Sequence, residues 1–164
     1  MRILSLIFLL FVAASCIDEK QFDDVPFLRY EGAEWVETDG GDQGLVDRLR
    51  VSLYFTDGDG NVGLEDDQTN PPFDEDSPYH YNLWVRYYEK QGDSLVEIPD
   101  AVFSVRLPNL TPRGQNKTLE AEIAYDIDLT QTAADSVQFF FTLVDRDLQL
   151  SNEVSSPVLF AAPN

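Results

Sequence analysis

Arg48-Leu49-Arg50-Val51-Ser52-Leu53-Tyr54-Phe55 is the stretch that decides the fold. Its apolar residues recur with a period of two. In an extended chain, Leu49, Val51, Leu53 and Phe55 share one face, and Arg48, Arg50, Ser52 and Tyr54 share the other. A helix would scatter the same residues around its circumference, so the stretch reads as a half-buried strand. The pattern recurs along the chain. Leu83, Val85 and Tyr87 alternate with Trp84, Arg86 and Tyr88. Phe103, Val105 and Leu107 alternate with Ser104 and Arg106, and Leu119, Ala121, Ile123, Tyr125 and Ile127 with Glu120, Glu122, Asp126 and Asp128. Val137, Phe139, Phe141 and Leu143 form a more fully apolar strand, because Phe140 and Val144 occupy its other face. Further strands are expected near residues 27–36 and 154–160, with residues 94–98 as a short hairpin partner. After residue 16 no window of 11 or more residues keeps a helical stripe. About seven strands separated by Gly, Pro, Asn and Asp turns predict an all-β fold, an antiparallel immunoglobulin-like β-sandwich. That label describes architecture only, since the Cys…Trp…Cys pattern of antibody domains is absent.

The quoted strand runs into an unusual connection. Residues 57–79 carry Gly58, Gly60, Gly63, Pro71, Pro72 and Pro78 among many acids. A connection longer than about 15 residues in a compact domain is usually functional or mobile. It opens Asp57-Gly58-Asp59-Gly60-Asn61-Val62-Gly63-Leu64-Glu65-Asp66-Asp67. Oxygen-bearing side chains at alternate positions on a tight turn can converge on one centre, and calcium takes about six to eight oxygens. Asp57, Asp59 and Asn61 match the opening of an EF-hand loop, but Val62 stands where that loop needs Gly and Gln68 where it needs Glu. This is therefore not an EF-hand. The expectation is a Ca2+ turn completed by Glu65, Asp66 or Asp67, and by Asp145 and Asp147 of a second acidic turn after the 137–143 strand. The competing reading is ordinary turn chemistry. Zinc and iron are disfavoured by a single histidine, His80, and a single cysteine.

That cysteine closes the first segment of the chain. Arg2 precedes a twelve-residue run from Ile3 to Ala14 that is apolar except for Ser5. Val12-Ala13-Ala14-Ser15-Cys16 follows the layout of a secretory signal and resembles the lipobox of bacterial lipoproteins, which implies lipidation at Cys16. The apolar run is too short to span a bilayer, which takes roughly 20 residues. The expected organisation is a signal peptide over residues 1–15, an acidic tether over 16–26 and a sandwich over 27–164.

Charge narrows the function. The 164 residues carry 11 basic and 30 acidic side chains; loss of Arg2 with the signal leaves a formal charge of −20. Nucleic acid is excluded as a partner, because basic surface supplies most of that affinity. Adhesion to anionic headgroups is excluded likewise, so membrane attachment falls to acyl chains, and stable anchoring takes more than one. With its one cysteine given to lipid, the chain can form no internal disulfide. Aromatics at 12% are too many for a disordered chain.

Two blocks carry a wider resemblance. Residues 53–64 resemble the F-x-D-G-D-G-D-I-G-L stretch of small uncharacterised Bacteroidota surface lipoproteins. Asp145-Arg146-Asp147-Leu148-Gln149-Leu150-Ser151-Asn152 is similar to their C-terminal D-R-x-x-x-x-S-N. The resemblance implies a lipid-anchored sandwich on the outer membrane, facing the cell exterior, with no settled activity. Asn61 stands where those proteins more often have Asp.

No enzyme is expected. His80 has no nucleophile motif beside it, and a glycosidase carboxylate pair is defined by separation and pKa rather than by abundance of acids. The expected function is a non-catalytic binding or structural module with an unknown protein or glycan partner. The alternative is an accessory glycan-binding, or glycan-hydrolysing, surface protein. Trp84 and Tyr88 are the candidate binding aromatics; cross-strand packing is their other reading. Ser94, Ser136 and Asn116 fall in short glycosylation-like patterns. Replacing Cys16 by Ser should release the protein from membranes or leave its signal uncleaved. Unchanged fractionation and processing of that variant would contradict lipidation.

Overall fold

The structure is a computed structural model that describes residues 21–162; the candidate lipidation site, Cys16, lies outside the described residues. The decisive stretch forms the middle of β2 (Leu45–Asp57). Leu49, Val51, Leu53 and Phe55 are buried and the residues between them are half-exposed. On either side of β2 lie β1 (Phe27–Asp39) and β5 (Leu119–Ile127), both antiparallel to it. Register places Arg50 opposite Asp126, and the guanidinium makes two hydrogen bonds to that carboxylate, at 2.6 and 2.8 Å.

The second sheet is built on β3 (Leu83–Gln91) and β6 (Ser136–Leu143), with β4 (Ser94–Glu97) beside β3 and two short strands, β7 (Val154–Ser155) and β8 (Leu159–Phe160), beside β6. All of these pairings are antiparallel. Inward residues of both sheets form one core, in which Leu28, Val51, Leu53 and Phe55 join Leu83, Val137, Phe139, Phe141 and Leu143, all at 0% exposure. The rings of Tyr87, Phe103 and Phe139 pack on one another with centroids 4.9–5.7 Å apart, in the tilted and edge-on arrangements that ring quadrupoles favour. The chain is thus an antiparallel all-β sandwich, as expected. Among the described residues the only helical turns are two three-residue 3-10 segments, Gly41–Gln43 and Pro78–His80.

Two expected strands differ in form. Residues 103–107 are irregular. Val105 pairs with Leu83 by a single bridge, and the Val85 N–H is met by the Ser104 hydroxyl instead of a backbone carbonyl. β4 already occupies the same edge of β3 further along. The strand expected at 154–160 is split into β7 and β8. Pro157 has no N–H to donate, and the Ser156 hydroxyl accepts from Phe139 N in place of a ladder carbonyl.

The long connection from β2 to β3 is held down by one cation. Arg106 donates to the backbone carbonyls of Gln68 (2.7 Å), His80 (3.0 Å), Glu65 (3.2 Å) and, more weakly, Phe73 (3.4 Å). A guanidinium is suited to this because its donors fan out in a plane. Arg106→Ala should lower stability by about 1.5–3 kcal/mol, the range for losing hydrogen bonds to a charged group. It should also raise amide exchange between residues 65 and 80 while leaving β2 and β6 protected. Exchange that rises equally throughout the domain would contradict this local role.

Candidate functional site: the acidic pole

The alternation of β2 ends at Phe55. Thr56 and Asp57 are both buried, and Asp57 is 0% exposed. A buried carboxylate is costly unless each oxygen finds a partner. Asp57 Oδ2 accepts from the Asn61 N–H at 2.8 Å. Asp57 Oδ1 is buried with no hydrogen-bond partner, and so is Asn61 Oδ1.

The surroundings supply more negative charge. The turn after Asp57 is tied to the turn after β6: Val62 bridges to Asp145, and Arg146 N donates to the Asn61 carbonyl. The Asn61 amide nitrogen donates to Asp59 at 3.0 Å and to Asp147 at 3.2 Å. Asp145 accepts from Gln149 N (2.7 Å) and Gln149 Nε2 (3.2 Å). Burial pushes the Asp57 carboxyl up to about 7, helped by the charges of Asp59, Asp145 and Asp24 and opposed by the Asn61 N–H. Burial also raises Asp59 and Asp145, and neighbouring aspartates add to the shift in each case. The nearest cation is turned to bracing. Arg146 reaches the Gly63 carbonyl (2.7 Å), Asn109 Oδ1 (3.0 Å) and the Thr111 hydroxyl.

The turn is tight because its neighbours leave no room. Gly60 and Gly63 have φ of +67° and +86°, and a Cβ on either would overlap a backbone carbonyl, that of Lys117 or Pro108. Glycine alone satisfies both conditions.

The structure therefore brings together Asp57, Asp59, Asn61, Asp145 and Asp147, from two turns far apart in sequence. It does not bring in Glu65, Asp66 or Asp67. These are exposed on the next turn, where Glu65 accepts from the Asn109 side chain and its N–H donates to Gln68. Asp24, which the sequence assigned to a polar tether, does join the group: its charge acts on both Asp57 and Asp59. Residues 23–28 lie over the two turns. Gly58 N donates to the Asp23 carbonyl at 2.8 Å, and the Asn152 side chain pairs with both the N–H and the carbonyl of Leu28. Nothing local in the sequence marks Asp24; its partners are more than thirty residues away.

Among the described residues no three His, Cys, Asp or Glu side chains already converge in a metal-holding geometry. The two unpartnered buried oxygens belong to a carboxylate and an amide. That mixture suits a hard cation such as calcium, which accepts carboxylate, amide and carbonyl oxygens in flexible geometry.

The candidate aromatic platform is largely tied up within the chain. Trp84 and Tyr88 are half-buried on the outer face of the second sheet. Trp84 Nε1 donates to the carbonyls of Tyr81 (3.0 Å) and Pro78 (3.1 Å). The Tyr88 hydroxyl donates to Glu97, and Arg86 links it to a bidentate contact with Glu153. A cleft of about 410 Å³ lined by Trp35, Val46, Leu129 and Ala161 lies where β2 begins, at the far end from Asp57.

Comparison with known protein families, with curated proteins and with solved structures finds no match.

Gly60→Ala should cost more than about 2 kcal/mol, since it adds steric overlap to left-handed backbone strain. Gly92→Ala has φ of +62° but open space around the new methyl, and should cost only about 1 kcal/mol. Urea denaturation of the two variants checks the difference; equal losses would contradict the close approach to Lys117.

Proposed function

We propose that the chain is a lipid-anchored outer-membrane protein whose sandwich is displayed on the cell exterior as a non-catalytic binding or structural module, with calcium at its acidic pole. The lipobox-like residues 12–16 support the anchor. The observation that carries the calcium reading is Asp57: a fully buried carboxylate with one oxygen unpartnered, beside Asp59, Asp145 and Asp24. Among the described residues no ion pair neutralises these carboxylates. A bound divalent cation would use the unpartnered oxygens of Asp57 and Asn61 and offset the charge of the others. The ligands would be drawn from Asp57, Asp59, Asn61, Asp145 and Asp147, with Glu65, Asp66 and Asp67 outside the shell. The partner would be a protein or a glycan; nothing in the charge distribution suits nucleic acid.

The sign of the electrostatics makes this testable. Asp57 is held above its ordinary 3.8, up to about 7, so the folded chain takes up protons that the unfolded chain does not. Without a cation, this group's contribution to stability falls as pH rises through that window. At pH 7.5 in chelator, Asp57→Asn should therefore melt no lower than wild type. Millimolar calcium should raise the wild-type melting temperature by several degrees, corresponding to about 2.7 kcal/mol at a hundred times the dissociation constant. It should raise that of Asp57→Asn by much less, since a neutral amide oxygen replaces a carboxylate. Magnesium should substitute poorly, because it holds its waters and demands an octahedron. A wild-type melting temperature indifferent to calcium would leave this pole an acidic turn that holds no calcium.

A further inference from the structure

The tether and the acidic pole meet, and neither motif predicts this on its own. Asp23 accepts from Gly58 N through its carbonyl and from Val25 N through its side chain at 3.0 Å. The Asp24 carbonyl accepts from Gln149 Nε2 at 3.4 Å. The Asp24 carboxylate lies against Gly58, so close that a Cβ there would stand 2.8 Å from its Oδ1. Asp24 is exposed, whereas the Asp57 it faces is 0% exposed with Oδ1 unpartnered. The turns thus present a buried, incompletely satisfied carboxylate, and the tether places a further, exposed carboxylate beside them.

We propose that Asp24 is an additional ligand to the cation at this pole, so that the ion clamps the anchoring tether onto the sandwich. This rests on the calcium reading above and adds a ligand and a consequence. Calcium tolerates about six to eight oxygens, so a sixth side chain beside Asp57, Asp59, Asn61, Asp145 and Asp147 is within its capacity. Without the ion, Asp24 is repelled by Asp57 and Asp59 and the tether is held by a few hydrogen bonds. With the ion, the same charges become attractive to a shared centre. Asp24 lies eight steps along the chain from Cys16, a span of at most about 29 Å when fully extended. With the anchor at Cys16 as proposed above, a clamped tether holds the acidic pole within that span of the membrane. Calcium would thus limit how far the module's acidic pole stands from its anchor.

Amide exchange on the mature, lipidated protein in detergent micelles tests this, with calcium chloride as the probe and magnesium chloride as the control. Saturating calcium should slow exchange at least tenfold at Val25 and Gly58 in the tether contact, and at Asn61 and Gln149 in the turns. Asp24→Ala should lose the slowing at Val25 and Gly58 and retain it at Asn61 and Gln149. Gly58→Ala places a methyl against the Phe22 carbonyl and the Asp24 carboxylate, and should lose the slowing at Val25 without removing a ligand. Slowing confined to Asn61 and Gln149 in wild type, or an Asp24→Ala variant that behaves as wild type, overturns the clamp and leaves the calcium reading standing. No slowing at any of the four amides overturns both.

Discussion

A carboxylate that cannot reach water needs a proton, a hydrogen-bond partner for each oxygen, or a cation. Asp57 imposes that condition on this molecule. It stands at the last position of β2, the central strand of its sheet, and is fully buried. Only one of its oxygens is satisfied by the chain. Neighbouring aspartates make the ionised form costlier still. Replacing such a group by an apolar residue would be the simplest route to stability. Asp57 instead keeps its carboxylate among four other aspartates, with the nearest guanidinium turned to carbonyls and hydroxyls.

The fold serves this pole in two ways. The core carries the stability, with both sheets contributing to one apolar cluster. Two arginines then hold the irregular backbone. Arg106 gathers the carbonyls of the long connection, and Arg146 holds the Asp-Gly turn through Gly63, Asn109 and Thr111. Asparagine side chains supply missing peptide partners. Asn82 pairs with both polar groups of Leu107, and Asn152 does the same for Leu28. The acidic turns are therefore not loose ends. They rest on a braced frame, which is the condition for holding several like charges close together.

Period-two alternation located β2, β3, β5 and β6 because each buries one face more deeply than the other. It failed at residues 103–107, where the alternation is present but a hydroxyl replaces a ladder carbonyl and β4 shares the edge. It also failed at 154–160, where Pro157 interrupts pairing. The meeting of the turns at Asp57 and Asp145 requires both preceding core strands to run toward the same end of the sandwich, a direction the sequence leaves open and the Val62–Asp145 bridge shows. Glu65, Asp66 and Asp67 were included on proximity in sequence alone, and the left-handed Gly63 carries the chain away from the group before reaching them. Asp24 was hidden for the opposite reason. It sits in a polar segment with no periodicity, and it reaches the acidic pole only through long-range contacts with Gly58 and Gln149.

The most direct measurement is the anomalous difference density of the mature protein crystallised in calcium. The predicted result is one ion, ligated by Asp57 Oδ1 and Asn61 Oδ1 at about 2.3–2.6 Å, with aspartate oxygens of both turns completing its shell. A well-ordered pole in millimolar calcium, with those two oxygens facing no density, would contradict it.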